Sequence, residues 1–185
     1  EMNTNFLNSV TNFLKKRTFE LLGLILILTS VVLVVSFVTY TPEDPSLIYG
    51  DSAIEIKNLL GIYGSTIADF FLQSFGLASF LLLGNFLFWG LSLLIKKEIK
   101  RILLKIIFVI FYLTLGSIFI YLTFNNSFWL IDNGNSGFVG EIGYQFISEI
   151  TPWIDNKYSL FVIFFLLITF FIFSADFNIK KITSL

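Results

Sequence analysis

The chain has 185 residues, 56% of them hydrophobic and 18% aromatic, with a formal net charge of −1, no cysteine and no histidine. With a mean hydropathy of +0.84, this composition falls outside the range of soluble domains and offers no basic face for nucleic acid. The missing Cys and His exclude disulfides, thiol nucleophiles, haem, the usual zinc sites and any Ser–His pair, so no cofactor is expected.

Glu1 ahead of Met2 reads as an added residue, so the native chain is expected to start at Met2. Residues 1–19 form a first segment. Phe6, Val10, Phe13 and Leu14 fall at helical spacing and Lys15, Lys16 and Arg17 close it. This pattern fits a short amphipathic helix on the membrane surface with its basic end near anionic lipid, the alternative being a frayed terminus.

Four apolar runs then follow, at about Leu21–Thr39, Phe70–Ile95, Ile102–Phe124 and Leu160–Ala175. A hydrocarbon core about 30 Å thick needs about 20 apolar helical residues, so each run is a candidate membrane span. Residues 20–176 are therefore expected to form one all-α, four-helix transmembrane domain. The first run is too long for a signal-peptide core, and no small-residue cleavage site follows it before Tyr40.

The first outer segment, 40–69, opens with Tyr40-Thr41-Pro42-Glu43-Asp44-Pro45-Ser46, where two prolines stop the helix. Ile56, Leu59, Leu60 and Tyr63 predict a short amphipathic helix after it, and Gly61 and Gly64 allow a bend into the second span. Asp69 opens that span. As an intramembrane carboxylate it is a functional candidate, but a negative charge in the first turn also offsets unpaired N–H groups at little cost. The structural reading is preferred.

Gln73, Gly76, Gly84 and Asn85 lie further along the second run, with Ala78, Gly90 and Ser92. Small residues allow close helix approach and amides bond between helices, which predicts that this span is the central packing helix. A pore lining is the alternative. Lys105 lies near the start of the third run and is expected to snorkel to the headgroups.

The second outer segment, 125–159, begins around Trp129. Asn133-Gly134-Asn135-Ser136-Gly137 reads as a flexible turn. Val139, Ile142, Phe146, Ile147 and Ile150 then make the apolar stripe of a second amphipathic helix, closed by Thr151-Pro152. Ile142 and Phe146 are its candidate docking residues. Both outer segments thus predict short interfacial helices rather than free loops, with Trp129 and Trp153 at interfacial depth.

Charge sets the expected topology. Ten of the twelve Lys and Arg residues precede the first run, lie between the second and third or at the start of the third, or follow the fourth; the exceptions are Lys57 and Lys157. The positive-inside rule then places both termini in the cytoplasm. Residues 177–185, with Lys180 and Lys181, are expected to begin a cytoplasmic linker. The chain carries no Walker sequence, no H-E-x-x-H and no carboxylate pair at catalytic spacing within the membrane, so it is not expected to be an enzyme.

Asp44-Pro45-Ser46, Asn58-Leu59-Leu60-Gly61, Gly64, Ala68-Asp69 and Gln73-Ser74-Phe75-Gly76-Leu77-Ala78 follow one another at consistent intervals. In these residues the chain resembles the N-terminal four-span membrane domain of the FtsK/SpoIIIE-type DNA translocases of bacterial division. Gly137-Phe138-Val139-Gly140 before Ile142-Gly143 is similar to a glycine-containing stretch of the family's second periplasmic segment. The family often has a proline midway along the second span, where this chain has Leu83-Gly84.

The resemblance implies a membrane anchor at the septum of the bacterial inner membrane. Its partners would be membrane lipid and division proteins, and it would bind no nucleic acid itself. It further implies a fragment of a longer protein, whose separate cytoplasmic ATPase motor moves DNA and drives homo-oligomerisation. A small transporter or channel subunit is the alternative, needing polar residues that converge from several spans.

Overall fold

The computed structural model describes residues 2–45, 55–96, 99–127, 129–130 and 132–175, of which residues 2–5 and 96 by their backbone only. Ser46, Lys97 and the expected linker at 177–185 lie outside the described residues. The described residues are all helical or irregular: α1 (Met2–Val38), α2 (Gly61–Phe75), a 3₁₀ turn (Gly76–Ser79), α3 (Phe80–Lys96), α4 (Ile102–Phe124), α5 (Gly137–Ile150) and α6 (Lys157–Ala175). Four stretches are long and apolar enough to cross a membrane, namely Phe6–Val38, Gly61–Ile95, Ile102–Phe124 and Lys157–Ala175. An all-α four-span domain is what results.

Three boundaries differ from the sequence expectation. α1 is one unbroken helix of 37 residues, so Phe6–Arg17 continues the first span instead of forming a separate surface helix. No Gly or Pro falls between Met2 and Leu22 to interrupt it. Thr11, Thr18, Thr29 and Thr39 each return their hydroxyl to the carbonyl four residues back, which removes a polar cost along the helix.

The first outer helix is displaced. Ile56–Leu60 is irregular, and α2 starts at Gly61, whose φ of +63° suits glycine at the entry. The third difference is that the second span is broken, α2 ending at Phe75 and α3 starting at Phe80.

α1 packs on α3 and α2, while α4 packs on α6 and α5; α3–α6 and α2–α5 contacts join the two halves. The tightest approach between α1 and α3 is at Gly23 and Gly90. A Cβ on Gly23 would lie 2.8 Å from the Gly90 carbonyl, and one on Gly90 would lie 2.6 Å from Ile27 Cγ1. Ser30 seals the same interface by donating to the Leu83 carbonyl at 2.8 Å.

The buried core has three parts. Leu33, Phe37, Tyr40, Ala68, Leu72 and Leu130 fill the end where α1 stops, and Leu82, Tyr112 and Leu113 fill the middle. Ile118, Ile154 and Ile163 seat α5 and the start of α6 against α4. Phe37 meets Phe80 edge-on at 5.5 Å, and Phe108 stacks on Phe170 at 5.6 Å, the offset geometries that ring quadrupoles favour. The antiparallel arrangement places the start of α1, the α3–α4 turn and the end of α6 on one side of the domain. α5 lies at the opposite end.

Candidate functional site

The end of the domain away from the α3–α4 turn carries a continuous polar assembly built on the break between α2 and α3. Three backbone carbonyls near the break would otherwise be bare, which is costly in or near hydrocarbon. Leu72 O accepts from the Gly76 N–H, Phe71 O accepts from Ser79 Oγ at 2.7 Å, and Phe75 O accepts from Ser117 Oγ of α4 at 3.0 Å. Gly76 has φ +57° and ψ −142°, a conformation essentially reserved for glycine. A Cβ there would sit 2.0 Å from the Asn135 carbonyl.

That carbonyl belongs to the α4–α5 loop, which inserts into the break. Asn135 O accepts from the Leu77 N–H at 2.8 Å, and Gly137, at φ +64°, leaves only 2.5 Å between a notional Cβ and the Gly76 nitrogen. Asn135 Nδ2 donates to the carbonyls of Phe124 and Asn126, and Asn125 Oδ1 accepts from the Ser136 N–H. The Asn133–Gly137 stretch is therefore a bonded plug and not the flexible turn its composition predicts.

Asp69 and Gln73 meet in one network beside this plug. Tyr40 Oη donates to Asp69 Oδ1 at 3.1 Å and accepts from Gln73 Nε2 at 3.0 Å. Gln73 Oε1 accepts from Asn133 Nδ2 at 2.7 Å, and Trp129 Nε1 donates to the Tyr40 carbonyl at 3.0 Å. Burial pushes the Tyr40 phenol up to about 12; the Gln73 bond opposes this, and the nearby Asp69 and Asp132 charges add to it.

Asp69 is the ninth residue of α2 and not in its first turn, so helix-end charge compensation does not account for it. It lies level with the end of α1 and ties α1, α2 and the α4–α5 loop together through Tyr40.

A second clamp holds the chain between α1 and α2. Asp44 accepts from the N–H groups of Lys57 and Asn58 at 2.9 and 2.8 Å. Asn58, almost fully buried, accepts from the Leu60 N–H at 3.0 Å and donates to Ser36 O at 2.9 Å. Ser36 Oγ donates to Gly64 O at 2.6 Å, and Ser65 Oγ donates to Pro45 O. Gly64 has no room for a side chain, since a Cβ would stand 2.2 Å from Asn58 Oδ1. On the surface above, Lys57 pairs with Glu43 at 2.7 Å and lowers that carboxyl from its ordinary value.

The remaining candidates lie apart from this assembly. Asn85 is buried nearer the α3–α4 turn end of the domain, where its Oδ1 accepts from Ser174 Oγ at 2.8 Å. Ser174 also reaches Lys105 O at 3.2 Å, and Trp89 Nε1 donates to Ser174 O at 2.7 Å. Lys105 itself is buried at 6% exposure, enclosed between helices instead of lying along the lipid-facing surface. Gly84 faces Phe171 at an ordinary 3.5 Å.

Ile142 and Phe146 are 58% and 64% exposed, forming with Phe138 and Ile150 an apolar ridge on α5 that points away from the bundle. α5 docks on α4 through its other face, where Gly140 and Gly143 bring it against Ser117 O and Ile118. Trp153 is exposed at its end, whereas Trp129 is tucked against Tyr40. In the sequence Tyr40, Asn133 and Asn135 are visible only as members of a turn or loop; Asp44 reads as part of the proline turn and Gly64 as a bend, and Asn58 only as a spaced residue of a family resemblance.

The family described as the 4TM region of DNA translocase FtsK/SpoIIIE matches residues 15–184. Among curated proteins, a DNA translocase FtsK of Rickettsia bellii is 30% identical over 144 residues, 77% of this chain and 18% of that protein. One from Azospirillum brasilense is 30% identical over 109 residues, 58% of this chain and 17% of its own length. A third, from Rhizobium meliloti, is 32% identical over 97 residues, 52% of this chain and 11% of its own. The chain thus spans less than a fifth of the relatives it matches. No solved structure matches it.

Proposed function

Because the chain belongs to the four-span membrane region family of the FtsK/SpoIIIE DNA translocases, we propose that it anchors such a translocase in the bacterial inner membrane at the division septum. In this reading the segment performs no catalysis. Its α1 start, α3–α4 turn and α6 end face the cytoplasm, where most of its Lys and Arg residues lie. DNA movement belongs to a separate ATPase motor connected beyond the membrane region. The outer end, built from α5 and the plugged break, meets division proteins.

The observation that carries this reading is the exposed ridge of Phe138, Ile142, Phe146 and Ile150 on a helix whose opposite face is fixed to the bundle. An apolar ridge held rigidly outside the spans is suited to docking, by contacts with a partner's apolar surface. The test is fluorescence imaging of the full-length protein carrying Ile142→Asp and Phe146→Asp together. Both side chains point away from the bundle, so membrane insertion should be retained while midcell recruitment is lost. Normal recruitment of the double variant would remove α5 from the division contact.

A transporter or channel subunit is distinguished by Asp69→Asn. Loss of ion flux in vesicles with recruitment intact would favour transport. The bonded state of Asp69, Gln73 and Asn133 supports a structural role instead.

A further inference from the structure

We propose that the start of α6 is a seat for one anionic phospholipid, with its phosphate on Lys157 and its two acyl chains on either side of the helix. The seat is independent of the division contact and of which leaflet it faces.

Lys157 is the cation that the rest of the structure leaves unexplained. With Lys57 it is one of the two that lie away from the basic segments, and Lys57 is accounted for by Glu43 at 2.7 Å. No carboxylate of the described residues pairs with Lys157. Asp155, two residues earlier, accepts instead from Tyr144 Oη at 3.2 Å. Lys157 also opens α6, at the helix end where a positive charge is unfavourable. An anion here is held by the side chain and not by the helix amides. Those of Tyr158, Ser159 and Leu160 already donate to Asn156.

Below the ammonium the surface is shaped for hydrocarbon. The Lys157 stem lines a groove of about 390 Å³ between α4 and α6 with Phe119, Thr123, Leu160, Phe161 and Phe164. Thr123 Oγ is turned back to the Phe119 carbonyl at 2.7 Å, so the wall offers no free hydroxyl donor. A peptide laid in such a groove would leave its amides unpaired, whereas an acyl chain has none to satisfy. A second apolar groove of about 340 Å³ runs along the opposite face of α6, past Ile154, Val162 and Leu166 with Trp153 and Tyr158 exposed beside it.

Helix length sets the depth. α6 has 19 residues, about 28 Å, and just crosses a hydrocarbon core of about 30 Å. Lys157 is thereby fixed at headgroup level, with Phe164 about 10 Å below it. Neither groove has a carboxylate in its wall to receive an amine-bearing headgroup, so the lone ammonium favours a net negative one.

The test uses the full-length protein in vesicles of phosphatidylcholine with a minor share of phosphatidylglycerol. A photoreactive benzoylphenylalanine replaces either Phe161 or, as control, Val34, each four residues from the matching end of its helix and both lipid-facing. After irradiation, mass spectrometry reads the headgroup of the captured lipid. Phosphatidylglycerol should be about fivefold more frequent at Phe161 than at Val34, as one lysine at an anionic headgroup predicts. Lys157→Gln should abolish this enrichment and Lys157→Arg should keep it, the Val34 adduct reporting that each variant is inserted. Equal lipid proportions at Phe161 and Val34 would overturn the proposal, leaving only bulk lipid in the groove. So would enrichment that survives Lys157→Gln, or capture of a second polypeptide at Phe161.

Discussion

Tyr40 shows how much one side chain controls at the end of α1. Its hydroxyl bridges Asp69 and Gln73 while its carbonyl receives Trp129. Tyr40→Phe keeps the ring but leaves two polar partners short of a bond, at a cost of roughly 1–3 kcal/mol. Thermal unfolding in detergent at pH 8 should register that loss. The phenol also gives a pH signature, because its value is raised from 10.0 to about 12, so the fold favours the neutral form. That contribution is complete below about pH 10 and disappears as the pH rises through about 12. The alkaline loss of stability over this window should be smaller in Tyr40→Phe; equal slopes would show that Tyr40 is not the responsible group. Gly64→Ala acts at the other clamp. With Asn58 Oδ1 only 2.2 Å from the added carbon, Asn58 must leave its bonds, and a loss of about 1–3 kcal/mol is expected from overpacking.

The break between α2 and α3 is where sequence pattern and structure diverge most, and the reason is physical. Hydropathy detects an apolar stretch but not a change of backbone direction inside it, so 70–95 reads as one span. Gly76 was visible as a small residue suited to close packing. Its actual part, a left-handed hinge closed by a distant carbonyl, depends on Asn135, 59 positions away in sequence. The same blindness shifts the first outer helix: glycine normally ends helices, whereas Gly61 opens one by turning the chain from the Asn58 clamp. Asp69 and Gln73 were recognisable as candidates because they are polar in an apolar run. Their partners Tyr40 and Asn133 look ordinary at a helix end and in a polar loop. Two glycines of the second span offer a matched test. Gly76→Ala should cost about 1–3 kcal/mol from backbone strain alone and release the plug. Gly84→Ala, with nothing nearer than 3.5 Å, should be neutral or gain up to about 1 kcal/mol from helix propensity. Similar losses at both sites would show that the hinge at Gly76 contributes no more than ordinary packing.

The four spans were legible in hydropathy, and the described helices place the charged segments consistently. Lys15, Lys16, Lys100 and Arg101 share one end of the domain, while α5 and the Glu43–Lys57 pair share the other. Which end meets the cytoplasm depends on how insertion reads charge, and the folded contacts carry no record of that choice. The cationic excess at the α3–α4 end makes the expectation specific. In a chain without cysteine, Glu149→Cys on the exposed face of α5 should react with a membrane-impermeant maleimide from the periplasmic side of intact spheroplasts. Lys16→Cys and Lys100→Cys should react only after the membrane is opened. Each position is exposed, so failure to label reflects sidedness and not burial. The reverse pattern would put α5 in the cytoplasm and the Asp44–Asn58 clamp with it. It would also move the ridge of Ile142 and Phe146 to the wrong side for a periplasmic partner. The start of α1 would then lie outside the cell. Sidedness therefore decides where the docking ridge can act.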